Sequence, residues 1–258
     1  MEAPPPAIDH GRRRLVTALI PPGAAVAVLA IVFAFDRIYH LDLYRYSVWP
    51  RSLPGLFGIL VSPFVHGSFD HLANNCAAIL VLGWLLVYFY PKAAWRVVLA
   101  SWLTGGAWVW VAARESHHIG ASGIVYGLAA FLFFSGVIRR RVALMTVSLI
   151  VVFLYGSMWW GVLPLVPGIS WESHLFGGLA GAIMAWVYRN VPPAHVPPPI
   201  VLEDGPDEPA ERSPVTIVYD IRPSDGEADE QPPAPPEQER PDGADYDPFR
   251  TSSTFPWE

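Results

Sequence analysis

The chain has 258 residues, of which 52% are hydrophobic, yet it also carries 27 prolines, a combination that one globular domain does not accommodate. Dividing it after Val191 resolves the conflict: residues 192–258 hold 16 of the 27 prolines, 16 of the 23 acidic residues and 4 of the 17 basic ones, a net −12 that leaves +6 for the remainder. The overall −6 therefore describes neither part and excludes reading the whole as an acidic soluble protein, while the single cysteine, Cys76, excludes an intramolecular disulfide and argues against a metal-thiolate site.

Residues 1–14 form a short N-terminal segment that ends in Arg12-Arg13-Arg14, and the apolar run Leu15–Phe35 follows directly. A secretory signal would have a hydrophobic region of only about 7–15 residues. This run is longer and is read as a first transmembrane helix, with Pro21-Pro22-Gly23 blurring its start. Residues 36–70 read as a long loop in which the stretch Leu53–Val65 is too apolar for a free linker and shorter than the ~20 residues that span a bilayer, so a re-entrant or interfacial segment is expected there.

Five more apolar runs follow: His71–Tyr90, Ala93–Ala113, Ser122–Val137, Val142–Leu165 and His174–Val191. The expectation is an all-α membrane protein, with a six-span bundle over residues 15–191 and a proline-rich, acidic, disordered tail over 192–258. Orientation follows from the basic residues. With the N-terminus cytoplasmic, inside segments carry nine (Arg12, Arg13, Arg14, Lys92, Arg96, Arg139, Arg140, Arg141, Arg189) and outside segments four (Arg37, Arg45, Arg51, Arg114). Both termini are then cytoplasmic. The second, fourth and sixth spans start near the outer face, and their first residues are His71, Ser122 and His174.

Three residues able to do chemistry thus fall at one depth, where ionisable side chains are costly and mark a cavity or a partner. Ser122 lies between Gly120 and Gly123, with Tyr126 one turn later. A serine there can cap the helix, let a neighbouring helix pack closely, or act as a nucleophile beside free N–H groups that attract developing negative charge. The histidines can equally be interfacial residues wetted by headgroups.

Gly120-Ala121-Ser122-Gly123 with Tyr126, then His174 followed by Gly177 and Gly181, resembles the serine and histidine signatures of the rhomboid intramembrane proteases. His66, His71 and Asn75 match that family's His-x4-His-x3-Asn spacing, and the resemblance covers roughly Val61 to Tyr188. It implies a Ser122–His174 dyad, with Tyr126 packed against the histidine and His71 and Asn75 serving the oxyanion with the Ser122 N–H. His66 is implied as a structural hydrogen-bonder, and Gly177 and Gly181 as the packing surface that brings span six against span four. No Asp or Glu falls inside the expected spans, so no third member of a triad is in view.

The family's Trp-Arg pair, about nine residues before the first of these histidines, is replaced here by Phe57 and Gly58, although Trp49 and Arg51 are near. A zinc enzyme would show His-Glu-x-x-His and an aspartyl enzyme two intramembrane aspartates; neither pattern is present. No metal, cofactor or nucleic acid is expected. The implied partners are the lipid bilayer and single-span membrane proteins, cut where small residues let a helix unwind. Substrates would arrive laterally past span five, with Phe153, Tyr155, Trp159 and Trp160, below a cap near Pro164, Pro167 and Gly168. The N-terminus lacks transit-peptide character, which points to a prokaryotic plasma membrane. The tail's prolines could serve a cytoplasmic partner, and Val215–Ile221 could pair as a strand. Two rivals stay open: a catalytically silent relative that binds transmembrane helices, and a transporter or channel using the histidines for protons.

Overall fold

A computed structural model describes residues 7–166 and 168–194, without side chains for 7–11, 158 and 159. The tail from residue 195 on, including Val215–Ile221, lies outside the described residues, as do Pro167 and the Trp159 side chain. Among the described residues all regular structure is helical: α1 (Ala7–Tyr39), α2 (Leu53–Val61), α3 (Phe69–Phe89), α4 (Ala94–Leu99), α5 (Gly105–Ala112), α6 (Ser122–Arg139), α7 (Val142–Tyr155) and α8 (Trp171–Val187). Three helices are long and apolar enough to cross a membrane: Arg12–Tyr39, Phe69–Phe89 and Ser122–Arg139. Each of the six apolar runs contains at least one helix.

Several boundaries differ from the sequence reading, for identifiable reasons. Helix α1 begins well before Leu15 and runs through Pro21 and Pro22 without a break. Pro22 packs against Gly83 of α3, where a Cβ would come within 2.9 Å of it, so close helix packing supports the proline-bearing turn. The third run is one rod in which α4 and α5 are joined by a π-helical turn, Ala100–Thr104. The fifth run divides: α7 ends at Tyr155 and a 3-10 segment, Gly156–Val162, continues.

The loop between α1 and α3 is largely structured. It holds a 3-10 turn, Leu43–Tyr46, and the nine-residue α2, started by Ser52, whose side chain accepts from the Gly55 N–H. Gly58, at a Trp-Arg position of the family pattern, sits where any Cβ would collide with the Ser47 carbonyl, so this close approach of two backbones requires glycine. Arg51 anchors the loop instead, donating from its guanidinium to the Ala113 carbonyl at 2.7 Å and from its backbone to Trp110 at 2.9 Å.

Two helices start a few residues earlier than their apolar runs, because Ser68 and Ser170 cap them by accepting from the His71 and Ser173 N–H groups. Asp70 and Glu172 therefore fall inside helices, in the first turns of α3 and α8, and Asp36 lies within α1. This corrects the expectation that the spans contain no carboxylate. In a first helical turn a carboxylate faces the positive end of the helix dipole.

Helix α6 is the centre of the bundle. It packs against α3, α4, α5, α7 and α8, and its Leu128, Phe131 and Leu132 are fully buried with Leu82 and Leu86 of α3, Val97 of α4 and Leu144 of α7. The α6–α8 pair is the closest. A Cβ on Gly177 would collide with the Gly123 carbonyl, and one on Gly181 with the Gly127 carbonyl. Small residues one turn apart let the two backbones touch.

Candidate active site

Ser122 is the first residue of α6. Its hydroxyl does not cap the helix: Ala121 occupies the cap position and no side chain satisfies it. The hydroxyl points across to α8, where Ser122 Oγ lies 2.9 Å from His174 Nε2. His174 is 8% exposed, so its imidazole is largely withdrawn from water, while Ser122 is half-buried.

The other face of the same imidazole settles its tautomer. His174 Nδ1 is 2.8 Å from the Gly161 carbonyl, which can only accept, so Nδ1 carries a proton. In the neutral ring Nε2 is then a lone pair aimed at the Ser122 hydroxyl, the arrangement a general base needs. The Tyr126 ring stacks on the imidazole with centroids 4.1 Å apart and planes within 8°. Gly161 was absent from the sequence reading, because a backbone carbonyl leaves no residue-type signal. Its lack of a side chain was the available clue: a Cβ there would collide with Tyr126 Oη and come within 3.1 Å of His174 Nδ1.

Gly120 has φ +93, a backbone region that favours glycine, and its N–H donates to the Ser62 carbonyl at 2.8 Å. A Cβ at this position would lie 2.5 Å from His71 Nε2 and 3.4 Å from Asn75 Nδ2. The predicted residues from α3 thus gather beside the turn that leads into Ser122. Asn75 Nδ2 also donates to His66 Nε2 at 3.0 Å, tying the α3 helix to the loop before it. His66 is buried, and burial together with the neighbouring His71 ring pushes its pKa from 6.5 down to about 4. It is a neutral acceptor at physiological pH.

His71, Asn75, Ser122, Tyr126 and His174 line one open cavity of about 800 Å³, together with Tyr155, Ser157 and Ile169. Because α6 begins uncapped beside it, the first N–H groups of that helix have no intrahelical acceptor and present partial positive charge. Phe153 and Trp160 are exposed, whereas Tyr155 is half-buried and borders the cavity. Among the described residues no group of three or more His, Cys, Asp or Glu is arranged to hold a metal ion.

Comparison with known proteins agrees with this geometry at the level of family. The Rhomboid domain profile matches residues 54–191. An uncharacterized protein of Mycobacterium tuberculosis is 31% identical over 172 residues, covering 63% of this chain and 71% of its own. An uncharacterized protein of Mycobacterium leprae is 29% identical over 171 residues, covering 63% and 68% respectively.

Proposed function

Because the chain belongs to the rhomboid family and is a multi-pass membrane protein, we propose that it is an intramembrane serine endopeptidase with Ser122 as nucleophile and His174 as base. One observation carries the reading: the Ser122 hydroxyl meets an imidazole already held as the Nδ1–H tautomer.

In this mechanism the Ser122 O–H proton passes to His174 Nε2 as Oγ bonds to the scissile carbonyl carbon. The resulting imidazolium donates through Nδ1 to Gly161 and rests on the Tyr126 ring, a cation–π contact. The oxyanion forms beside the Ser122 N–H, with His71 and Asn75 as further donors; each such donor is typically worth ~3–4 kcal/mol. His174 then gives its proton to the leaving amine, which breaks the C–N bond and leaves an ester on Ser122. Water attacks the ester carbonyl carbon as His174 Nε2 accepts its proton. His174 then returns that proton to Oγ as the C–Oγ bond breaks, releasing the carboxylic acid product and restoring the Ser122 hydroxyl.

The substrates are single-span membrane proteins with small residues at the cut, reached from the outer side with both termini of this chain in the cytoplasm of a plasma membrane. Lateral access past α7, beneath a cap near Gly168, is the route that fits an extended segment. Gly168 has φ +82 and open space around it, as a hinge position would.

Covalent labelling of the protein in liposomes with a fluorophosphonate probe tests the reading. Labelling of wild type that disappears in Ser122→Ala and His174→Ala, both shown to be folded, supports it. Labelling that persists in Ser122→Ala contradicts the site. Failure of wild type to label, while a control protease does, turns the reading to a helix-binding relative without catalysis.

A further inference from the structure

His118 lies in the loop between α5 and α6, yet it is among the most completely buried polar side chains of the described residues at 2% exposure. Its contacts are directional. Nε2 lies 3.1 Å from the Arg114 carbonyl, which can only accept, so Nε2 carries the proton. Nδ1 lies 2.5 Å from Ser170 Oγ, and in a neutral ring it must accept the Ser170 proton. Ser170 Oγ in turn takes a hydrogen bond from the Ser173 hydroxyl at 2.6 Å and from the Ser173 N–H at 3.3 Å. One chain of donors therefore runs from Ser173 through Ser170 and His118 to the Arg114 carbonyl.

Arg114 closes the same junction from the other side. Its Nη2 donates to the Ile169 carbonyl at 2.6 Å, and its Nε is 3.5 Å from Glu172 Oε1, a buried carboxylate that also faces the Arg114 N–H at 3.4 Å. The His118 backbone pairs in both directions with Val48, at 3.0 and 3.1 Å, and so fastens the first loop to this point. Ser122 follows His118 by four residues, and His174 follows Ser170 by four. The His118–Ser170 bond thus precedes the Ser122–His174 bond by the same number of residues on both segments.

We propose that His118 is a positioning residue for the Ser122–His174 pair: as a neutral Nε2–H ring it ties the loop leading into Ser122 to the cap of the helix that carries His174. Burial lowers the pKa of His118 and supports the neutral form. The inference rests on the protease reading only for its effect on rate; the tie itself is a property of the fold. Geometry at reacting atoms is sensitive to distant supports, where a displacement of ~1 Å can cost about 100-fold.

The test uses the full chain in nanodiscs, labelled with nitrogen-15 histidine, as wild type, His118→Leu, Ser170→Gly and Ser170→Thr. Leucine removes both His118 hydrogen bonds at similar volume. Glycine is tolerated at a helix cap but lacks the hydroxyl, and threonine keeps it. Wild-type His118 is expected to show the nitrogen shifts of a neutral ring protonated at Nε2; protonation at Nδ1 instead, or an imidazolium at neutral pH, overturns the proposal. Fluorophosphonate labelling is expected to slow at least ~10-fold in His118→Leu and Ser170→Gly, and to stay within about twofold of wild type in Ser170→Thr. The His174 nitrogen shifts should move in the first two variants and return in the third. Unchanged labelling and unchanged His174 shifts in Ser170→Gly overturn the proposal even if His118→Leu does not fold, as does a threonine variant as slow as the glycine one. If wild type does not label, the protease reading falls by itself. The His174 shifts then decide the tie: movement in Ser170→Gly that threonine reverses supports it, and no movement overturns it.

Discussion

The rings of Tyr126 and His174 lie parallel, 4.1 Å between centroids and 8° between planes, so that one helix supplies both the serine and the surface on which the partner histidine rests. Stacked aromatic pairs contribute about 0.5–1.5 kcal/mol beyond their buried area. Phenylalanine keeps that surface and alanine removes it. Tyr126→Phe is therefore expected to label with fluorophosphonate within about fivefold of wild type, and Tyr126→Ala to lose roughly 10- to 100-fold. Equal loss in both would show that the hydroxyl, and not the ring, does the work.

Gly161 makes a second, separable contribution. A methyl group at this position collides with Tyr126 Oη and crowds His174 Nδ1. Gly161→Ala should slow labelling by at least ~10-fold while leaving the helical content unchanged. Combining it with Tyr126→Phe removes the colliding atom and should recover part of the loss. A double-mutant cycle measures this directly, and additive effects would contradict the contact.

The seam between α6 and α8 has no room for side chains. Gly177→Ala and Gly181→Ala drive a Cβ into backbone carbonyls that cannot rotate away. Overpacking of this kind costs about 1–3 kcal/mol and sometimes more. Both variants are expected to lower the thermal midpoint in detergent and to weaken labelling through separation of Ser122 from His174. Alanine at Gly23, which has nothing within 4 Å, is the control and should do neither.

Acid should weaken the fold through His66. Its pKa in the folded chain is about 4, below the ordinary 6.5, so between those values the unfolded state binds more protons. Stability is full above about pH 6.5 and declines as the pH falls towards 4, by at most ~3 kcal/mol from this group. A protonated His66 also has no lone pair at Nε2 to accept from the Asn75 amide. Thermal midpoints between pH 7 and 4.5 should fall, with a shallower slope in His66→Gln. A slope identical in the two proteins would remove His66 as its cause.

Asn75 and His71 are tested by their effect on rate. If they stabilise the oxyanion, Asn75→Ala and His71→Ala lower kcat by about 10²-fold or more with little change in KM, because the interaction strengthens only in the transition state. A change confined to KM would make them substrate-binding residues.

The sequence by itself determined the apolar runs, the composition break after Val191, and the three motifs that lie at the starts of α3, α6 and α8. Those features are local: apolar runs of helical length need no distant partner to be recognised. Boundaries were less legible, since Ser68 and Ser170 extend α3 and α8 past their apolar stretches and so bring Asp70 and Glu172 into first turns. What only the tertiary structure decided is which polar groups share a hydrogen bond. The Gly161 carbonyl that sets the His174 tautomer carries no residue-type signal, and His118 reads as a loop residue until Arg114 and Ser170 are seen on its two nitrogens. Hydrogen bonds in a buried site depend on distances of a few tenths of an ångström between segments some 50 residues apart, and those distances come from packing glycine against backbone at the α6–α8 seam.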